Sequence, residues 1–506
     1  MGVYSITDSA MSALNIAQAG ILTTSQNVAG ASVEGFSRRN ANATMNALAP
    51  NSLMLNGTSF AVEGFTRQYS SLLSSQYLNQ QAKSSYSETL VQYTQAIDTL
   101  VADESTGLNT AISNFFNAMG TYAADPKSKP QAAAITASAN EVARRIAGMS
   151  SLTSQIRSDA QKGLEDTRLQ INTLLPALAQ INRQIIQDRS SNNSYPSADL
   201  LDERDRLLSQ LQKLVGGQTL INSDGTATQL IAGMPLLDRG VANKLVMNGG
   251  QDMQTAVYSL MSGSNSTVMS IQHLDGGQAG ALFELVNTFA PKIDQRLDAI
   301  ALGLVSAANT AALTANNING QTNPFAIFGF QVGPEKWPNF DGDITSDIND
   351  VADSVGQMVS GVNSEENMNR LYDYLGSSNS LTLSGFKAAN FISLAPSNTA
   401  EYFDVMGDSI ITSDAANFLQ KQSSIFVGST ASLVSDVGVQ VATWRSTQKA
   451  DIAVMKNLKD QKESLSGVNL DEEAANLLKY QQLYAASTKV LQAGNQMFNA
   501  LLSIMN

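Results

Sequence analysis

The chain has no cysteine and a single histidine, His273, among its 506 residues. Without cysteine, neither a disulfide framework nor a thiolate-bound metal can form. A zinc site would have to rely on carboxylates beside one imidazole, which is not an ordinary zinc ligand set. We therefore predict no metal site and no cofactor, and we assign His273 a structural role at the end of a predicted strand.

Charge is also scarce. Charged residues make up 15% of the chain, and acidic residues outnumber basic ones, so the formal net charge is −13. Binding to nucleic acid needs a basic surface, and docking on anionic lipid needs clustered lysine and arginine. The composition therefore argues against both kinds of partner.

Long apolar runs are missing as well. The N-terminus has neither the basic start nor the sustained apolar stretch of a secretory signal peptide. The sequence contains no continuous apolar run of about eighteen residues, so we expect no membrane insertion. If the protein leaves the cell, we expect it to use another route.

The segment from Val468 to Asn506 has the pattern of a long amphipathic helix that needs a partner along one face. Asn469 is a good N-cap, and the acidic residues after it suit the positive end of the helix dipole. A narrow apolar row with a spacing of seven residues follows. Its members are Leu477, Tyr484, Leu491 and Phe498.

The N-terminal segment carries a matching pattern. Leu14, Ile21 and Val28 recur at the same spacing, and Ala17 lies in a second row between them. The sequence predicts that both termini are helices that pair as a coiled coil. We also expect these ends to be largely disordered in the monomer and to become ordered when neighbouring subunits cover them.

Between the termini, helical patterns alternate with irregular ones, so the predicted fold is mainly α with β-rich insertions. It is a discontinuous helical stalk that ends in the terminal coiled coil and carries inserted outer domains. A hairpin signal at Ser223-Asp224-Gly225 marks one insert, and Pro176 predicts a kink in a long helix. The assigned segments are 1–66 and 466–506 for the coiled coil, 67–215, 279–319 and 426–465 for the stalk, 216–278 for a β-rich insert and 320–425 for a mixed exposed insert.

A short internal repeat lies near the N-terminus. The segment Val33-Glu-Gly-Phe-Ser-Arg38 recurs as Val62-Glu-Gly-Phe-Thr-Arg67. The repeat is either a chance or turn-forming recurrence, which we favour, or a pair of matching contact loops. We predict no regular structure around it, from Ala31 to Arg67.

Three groups superficially resemble catalytic or ligand sites. The glycines around Gly276 match neither dinucleotide-binding nor phosphate-loop spacing, so they predict a tight turn into a helix. The aspartates of DGDITSDIND (Asp341, Asp343, Asp347) lack the glycine and the final glutamate of a calcium-binding loop, so they predict a solvated loop. The acidic group from Asp199 to Asp205 lies on a predicted helix, where Asp202 and Arg206 have the spacing of an ordinary surface ion pair. We predict no enzymatic activity.

The two ends of the chain resemble those of a known family. The segments SALNIAQAGILTTSQNVAGASVEGFSRR (Ser12 to Arg39) and SGVNLDEEAANLLKYQQLYAASTKVLQAGNQMFNALL (Ser466 to Leu502) resemble the ends of bacterial flagellar axial proteins. Within this group, the segment GVNLDEEAANLL, which begins at Gly467, is most similar to the hook-associated protein 1 family. The interior segment SADLLDERDRLLSQLQKLVGG, from Ser197, resembles that family too. The motif positions that correspond to the family are Asn27, Gly35, Phe36 and Arg38, although the family usually has Tyr-Ser-Arg-Gln where this chain has Phe36-Ser37-Arg38-Arg39.

The resemblance implies a structural subunit that joins hook to filament in the extracellular part of the flagellum. It implies export by the flagellar type III apparatus and an export chaperone that covers the C-terminal helix. Its implied partners are a ring of like subunits, the hook protein and the second hook–filament junction protein. Two alternatives stay open: another axial protein, of the hook or distal rod, and an extracellular adhesin or hydrolase carried in the 320–425 insert.

Overall fold

The computed structural model describes most of the chain. The described residues are 2–33, 35–46, 59–101, 107–125, 128–192, 196–248, 256–261, 270–271, 273–316, 327–332, 335–337, 387–394 and 413–505. The predicted solvated loop at Asp341, Asp343 and Asp347 lies outside them, and so does most of the predicted 320–425 insert.

Helices account for most of the described residues, and the predicted mainly α fold with small β-rich parts is confirmed. The helices are Gly2–Gly30 (α1), Ser71–Val101 (α2), Leu108–Ala124 (α3), Lys129–Asn192 (α4), Ala198–Val215 (α5), Gly277–Glu284 (α6), Ala290–Asn316 (α7), Ser413–Ser466 (α8) and Leu470–Met505 (α9). A π-helical turn, Leu285–Phe289, joins α6 to α7. Pro176 lies inside α4, which is helical on both sides of it.

The central helices α2 to α8 form a bundle around one apolar core. Helix α8 packs against α2, α3 and α7, while α4 packs against α3, α5, α6 and α7. Large side chains fill the core because each helix buries an apolar stripe. Phe116 of α3 stacks on Phe426 of α8 with ring centres 5.8 Å apart, and Phe289 lies 4.9 Å from Trp444.

Two small antiparallel sheets occupy the predicted β-rich insert. The first runs in the order β3 to β6 and the second in the order β7 to β9. Their strands are Gln218–Ile221 (β3), Ala227–Ile231 (β4), Met234–Asp238 (β5), Val241–Ala242 (β6), Lys244–Asn248 (β7), Val257–Met261 (β8) and Ser270–Ile271 (β9). The predicted hairpin at Ser223 to Gly225 connects β3 to β4, whereas β5 was not predicted.

The sheets of this insert do not stand free in solvent. Asn182 of α4 donates its side-chain N–H to the carbonyls of Ala227 and Arg239, at 2.8 and 2.6 Å. Asn172, also on α4, donates to the carbonyl of Leu245 at 2.7 Å. One side of the β-rich insert is therefore fixed to the longest helix, α4.

The described part of the 320–425 segment is also built into the core. Its strands are Phe328–Val332 (β10), Glu335–Trp337 (β11) and Phe391–Ser393 (β12), and a short 3-10 turn, Ala388–Asn390, precedes β12. Phe328, Phe330 and Phe391 are buried, and the Phe328 ring lies 5.0 Å from that of Phe115 on α3. The prediction of an exposed insert is wrong for these residues, because their aromatic side chains complete the bundle core.

A β-hairpin follows α1 where the sequence predicted irregular structure. Its strands, Arg39–Asn46 (β1) and Ser59–Arg67 (β2), pair antiparallel with Arg39 opposite Arg67. Strand β1 alternates polar residues with Ala41, Ala43 and Met45, but alanine is uncommon in strands, so this signal is weak. Strand β2 has no such alternation.

One finding runs against the predicted absence of a membrane segment. Among the described residues, the helical stretch Ser423–Ala500 contains an 18-residue window that is long and apolar enough to cross a bilayer. A single window of this kind is weak evidence for a span, since it rests on length and composition only.

Candidate assembly interface

Helices α1 and α9 pack along each other in opposite directions. Gly20 of α1 faces Tyr480 of α9, and Asn27 further along α1 contacts Glu473 near the start of α9. The two chain ends therefore extend toward the same end of the pair, as the sequence predicted for helices that leave from and return to one place. We call α1 and α9 together the terminal pair.

The buried residues of the terminal pair are small or polar. On α1 they are Ala10, Ser12, Ala17, Gly20, Thr23, Thr24, Asn27 and Gly30, and on α9 they are Glu473, Ser487 and Gly494. Because these buried side chains are small, the backbones of α1 and α9 can approach each other closely. A β-carbon added to Gly20 would lie 2.4 Å from the ring of Tyr480, so any larger residue would force the helices apart.

The predicted apolar rows therefore lie beside the centre of the contact instead of forming it. Ala17 is buried, whereas Leu14, Ile21, Leu477 and Leu491 are half-buried. Val28, Tyr484 and Phe498 are exposed, at 44%, 38% and 36%. Further large apolar side chains of the pair are also exposed: Met11, Leu22, Leu478, Val490 and Met497.

Asn27 is the polar centre at the base of the terminal pair. Its side-chain oxygen accepts the backbone N–H of Arg39 at 2.9 Å, and its side-chain nitrogen donates to the carbonyl of Arg39 at 3.0 Å. The same nitrogen contacts the carboxylate of Glu473 at 3.1 Å. One buried amide thus joins α1, the start of β1 and the first turn of α9.

Arg38 makes a second connection to the first turn of α9. Its guanidinium donates to Glu473 and to Glu472, each at 2.8 Å, and its backbone N–H donates to the carbonyl of Ser466 at the end of α8. Asn469 caps α9 as predicted, since its side-chain oxygen accepts the N–H of Asp471 at 3.0 Å.

The other two motif residues shape the turn that places Arg38. Gly35 has a φ of +88°, in the left-handed region that favours glycine. The ring of Phe36 lies against Gly30, where an added β-carbon would be 2.6 Å from it. The guanidinium of Arg39 stacks over the same ring at 4.8 Å.

The hairpin is tied to α5 by a buried ion-pair network. Asp202 accepts from Arg39 at 3.2 Å and from Arg67 at 2.7 Å, and Arg67 also binds Asp205 at 3.0 Å. The predicted surface pair between Asp202 and Arg206 is wrong, because Arg206 binds Glu203 instead. We call this set, with Asn27, Arg38 and Glu473, the base network.

The charges of this network shift the pKa values of Arg67 and of the nearby Tyr69. Burial lowers the pKa of Arg67, but the charge of Asp205 and the hydrogen bond that Arg67 donates to Asp202 outweigh this effect, so the pKa is raised. Burial and the charge of Asp205 raise the pKa of Tyr69, over whose ring Arg67 stacks at 4.8 Å. The two raised pKa values favour a cationic Arg67 and a neutral Tyr69.

The internal repeat places its two arginines in matching roles. Arg38 ends the first copy and binds the acidic first turn of α9, while Arg67 ends the second copy and binds the acidic start of α5. The backbones differ, because the first copy is mostly loop and the second lies in β2. Of the two interpretations of the repeat, the structure favours the pair of contact segments.

The other residues singled out in the sequence do not assemble into a site. His273 is exposed, and its Nε2 lies 2.9 Å from a carboxylate oxygen of the neighbouring Asp275. Gly277 has a φ of +69° and packs on the backbone of Gly216, as a tight turn into α6 requires. Within the described residues, no group of three or more His, Asp or Glu could hold a metal ion.

Comparison with known proteins agrees with this architecture at both the centre and the end of the chain. Residues 94–326 match the helical domain of the flagellar hook-associated protein FlgK, and residues 462–504 match the C-terminal part of the flagellar basal body rod FlgEFG proteins. Flagellar hook-associated protein 1 of Salmonella typhimurium is 26% identical over 99% of this chain and 100% of its own length. Over nearly its whole length, the chain is therefore similar to the flagellar hook-associated protein 1 family.

Other members of the hook-associated protein 1 family are similar over comparable lengths. The Escherichia coli K12 protein is 26% identical over 99% of this chain and all of its own, and the Bacillus subtilis protein is 20% identical over 98% and 97%. A solved structure, the flagellar hook junction protein FlgK from Burkholderia pseudomallei, is 23% identical. It aligns with a TM-score of 0.44 over 51% of this chain and 47% of that one.

This similarity to the hook-associated protein 1 family indicates the structural class of the chain and its location. It is a structural protein of the bacterial flagellum and not an enzyme, and it is an exported component found at the hook–filament junction.

Proposed function

We propose that the chain joins hook to filament by stacking its terminal pair against the terminal pairs of neighbouring subunits around the flagellar axis. The observation that carries this proposal is the distribution of side chains in the pair. Small and polar residues bind α1 to α9, while Val28, Tyr484, Phe498 and other large apolar residues remain on the outside.

Exposed apolar side chains concentrated on one element favour burial against a further surface. In the terminal pair they occur on both helices and along much of their length, so neighbours on more than one side would bury them. The members of the predicted rows that keep exposed surface are therefore our candidates for the assembly interface: Leu14, Ile21, Val28, Leu477, Tyr484, Leu491 and Phe498. Ala17, the remaining member, is already buried between α1 and α9.

The base network does not contact neighbouring subunits in this proposal but connects the terminal pair to the rest of its own subunit. It fixes the terminal pair to the bundle through α5 and the end of α8, so a force on the pair is transmitted to the outer part of the subunit. In a junction, this rigid connection lets one ring of subunits contact the hook on one side and the second junction protein on the other.

Before assembly, the same exposed apolar residues could cause the subunits to associate prematurely. We propose that an export chaperone covers the C-terminal helix until the chain is secreted, since exposed apolar rows of this length would otherwise associate. The contact would involve Leu477, Tyr484, Leu491 and Phe498, the residues that the assembled ring later buries.

A double substitution tests the stacking proposal. Replacing Leu491 and Phe498 with aspartate places charges where neighbours would pack, so we expect the chain to be secreted but absent from purified flagella. The matched control replaces the exposed Leu169 of α4 and Val241 of β6 with aspartate, which should leave incorporation unchanged. Normal incorporation of the Leu491 and Phe498 variant would contradict the proposal.

Another axial protein of the hook or rod would share the C-terminal helix, as the match to rod proteins illustrates. A deletion strain separates the two functions. Loss of a junction subunit leaves intact hooks with filament protein shed into the medium, whereas loss of a hook or rod subunit removes the hook itself.

A further inference from the structure

A wide cleft opens where the terminal pair meets the bundle. Its volume is about 1370 Å³. One wall is the turn after α1, from Gly30 to Arg38, and another is the second half of α5, from Asp205 to Lys213. The end of α8 and the start of α9, including Lys459 to Asn469, form the third.

The charge of the cleft is opposite to that of the chain. Its lining residues include five cations, Arg38, Arg206, Lys213, Lys459 and Lys462, and three anions, Asp205, Glu463 and Glu472. The difference, five minus three, leaves two positive charges in a chain with a net charge of −13. Lys213 is exposed and makes no ion pair within the described part of the chain.

Apolar side chains are exposed beside these cations. Val33 is 60% exposed and Leu465 is 48% exposed, and both line the cleft. A small anion would use the cations alone. A protein surface would use both the cations and the apolar residues, because protein interfaces combine an apolar centre with a polar rim.

We propose that this cleft receives an acidic surface of a second copy of the chain when subunits assemble side by side. The inference rests on the assembly role proposed above and names a contact outside the terminal pair. Another copy is the fitting occupant for two reasons. Its net negative charge complements the cleft, and the cleft is continuous with the pair that stacks on neighbouring subunits.

The absence of cysteine makes a direct test possible. Gln210 is exposed on α5 inside the cleft, so a Gln210→Cys variant carries one defined attachment point for a benzophenone maleimide probe. Gln170→Cys on α4 is the matched control, since Gln170 is exposed but does not line the cleft. Flagella assembled from each labelled variant are irradiated, and the adducts are identified by mass spectrometry.

The proposal predicts an adduct between two copies of the chain from the Gln210 position and none from the Gln170 position. An adduct with a different flagellar protein, or only internal adducts in flagella that contain the variant, would overturn it. Absence of the unmodified chain from purified flagella would instead overturn the assembly role itself, so the two failures are distinguishable.

Charge reversal gives a second measurement without a probe. The triple variant Lys213→Glu, Lys459→Glu, Lys462→Glu should enter flagella at least about tenfold less than the unmodified chain, a change equivalent to a tenfold weaker contact. The control Lys83→Glu, Lys162→Glu, Lys244→Glu makes the same change in net charge at exposed positions outside the cleft. Equal incorporation of the two triple variants would overturn the proposal.

Discussion

The central bundle and the terminal pair are both helical, yet they bury opposite kinds of side chain. In the bundle, Phe115, Leu164 and Leu297 are fully buried with many other large apolar residues. In the terminal pair, the buried residues are small or polar, and large apolar residues such as Met11 and Phe498 lie outside.

This difference shows where each region obtains its stability. The bundle removes its apolar surface from water within one subunit, which is the main favourable contribution to folding. The terminal pair leaves much of its apolar surface in contact with solvent and relies on close backbone approach and the base network. In the assembly that we propose, other subunits supply its remaining stabilisation.

The largest expected effect compares the same truncation in the two regions. Phe115→Ala leaves a cavity in the bundle core and should lower the free energy of unfolding by about 3 to 5 kcal/mol. Phe498→Ala, at a position 36% exposed, should change it by less than about 1 kcal/mol. Urea unfolding followed by the fluorescence of the core residue Trp444 measures both, and equal losses would remove the distinction between the regions.

An intermediate effect is expected at the connection between them. Arg67→Ala leaves the carboxylates of Asp202 and Asp205 buried without one of their cations, which should cost about 3 kcal/mol. Arg144→Ala removes a pair with Glu141 whose arginine side chain is 74% exposed, so less than about 1 kcal/mol should be lost. Thermal unfolding of both variants provides the comparison, and a similar small loss from each would show that the base network is not a structural connection.

The smallest effects are expected when glycine is replaced by alanine at two helical positions. The free energy of unfolding should fall at one position and rise at the other. Gly20→Ala brings a methyl group into the Tyr480 ring and should destabilise the terminal pair by about 1 to 3 kcal/mol. Gly148→Ala, where no atom lies within 4 Å, should stabilise α4 by about 0.5 to 1 kcal/mol. Hydrogen exchange reports each change locally: it should become faster in α1 of the Gly20 variant and slower in α4 of the Gly148 variant. Unchanged exchange in α1 of the Gly20 variant would contradict the packing described for Gly20.

Much of this fold could be predicted from sequence because its helices carry regular apolar patterns. Helix α5 begins and ends at the predicted residues, Ala198 and Val215, and the hairpin at Asp224 was marked by turn residues. The motif residues Asn27, Gly35, Phe36 and Arg38 were identified by resemblance, and the structure brings all four to the base of the terminal pair.

The base network could not be predicted, because its partners are far apart in the chain. Arg39 and Asp202 are separated by more than the length of α4, and no local spacing indicates that they meet. One signal was available in retrospect. Asp199, Asp202 and Asp205 recur every three residues at the start of α5, which puts several carboxylates near one face and requires cations from elsewhere.

The central claim is that neighbouring subunits cover the outward apolar residues of the terminal pair. Hydroxyl-radical footprinting tests it at Met11, Tyr484, Met497 and Phe498, which are 53%, 38%, 43% and 36% exposed in the single chain. The account predicts strong modification of these side chains in the purified subunit and protection in assembled flagella, while the exposed Leu169 of α4 stays equally reactive. Unchanged modification of all four residues after assembly would contradict it.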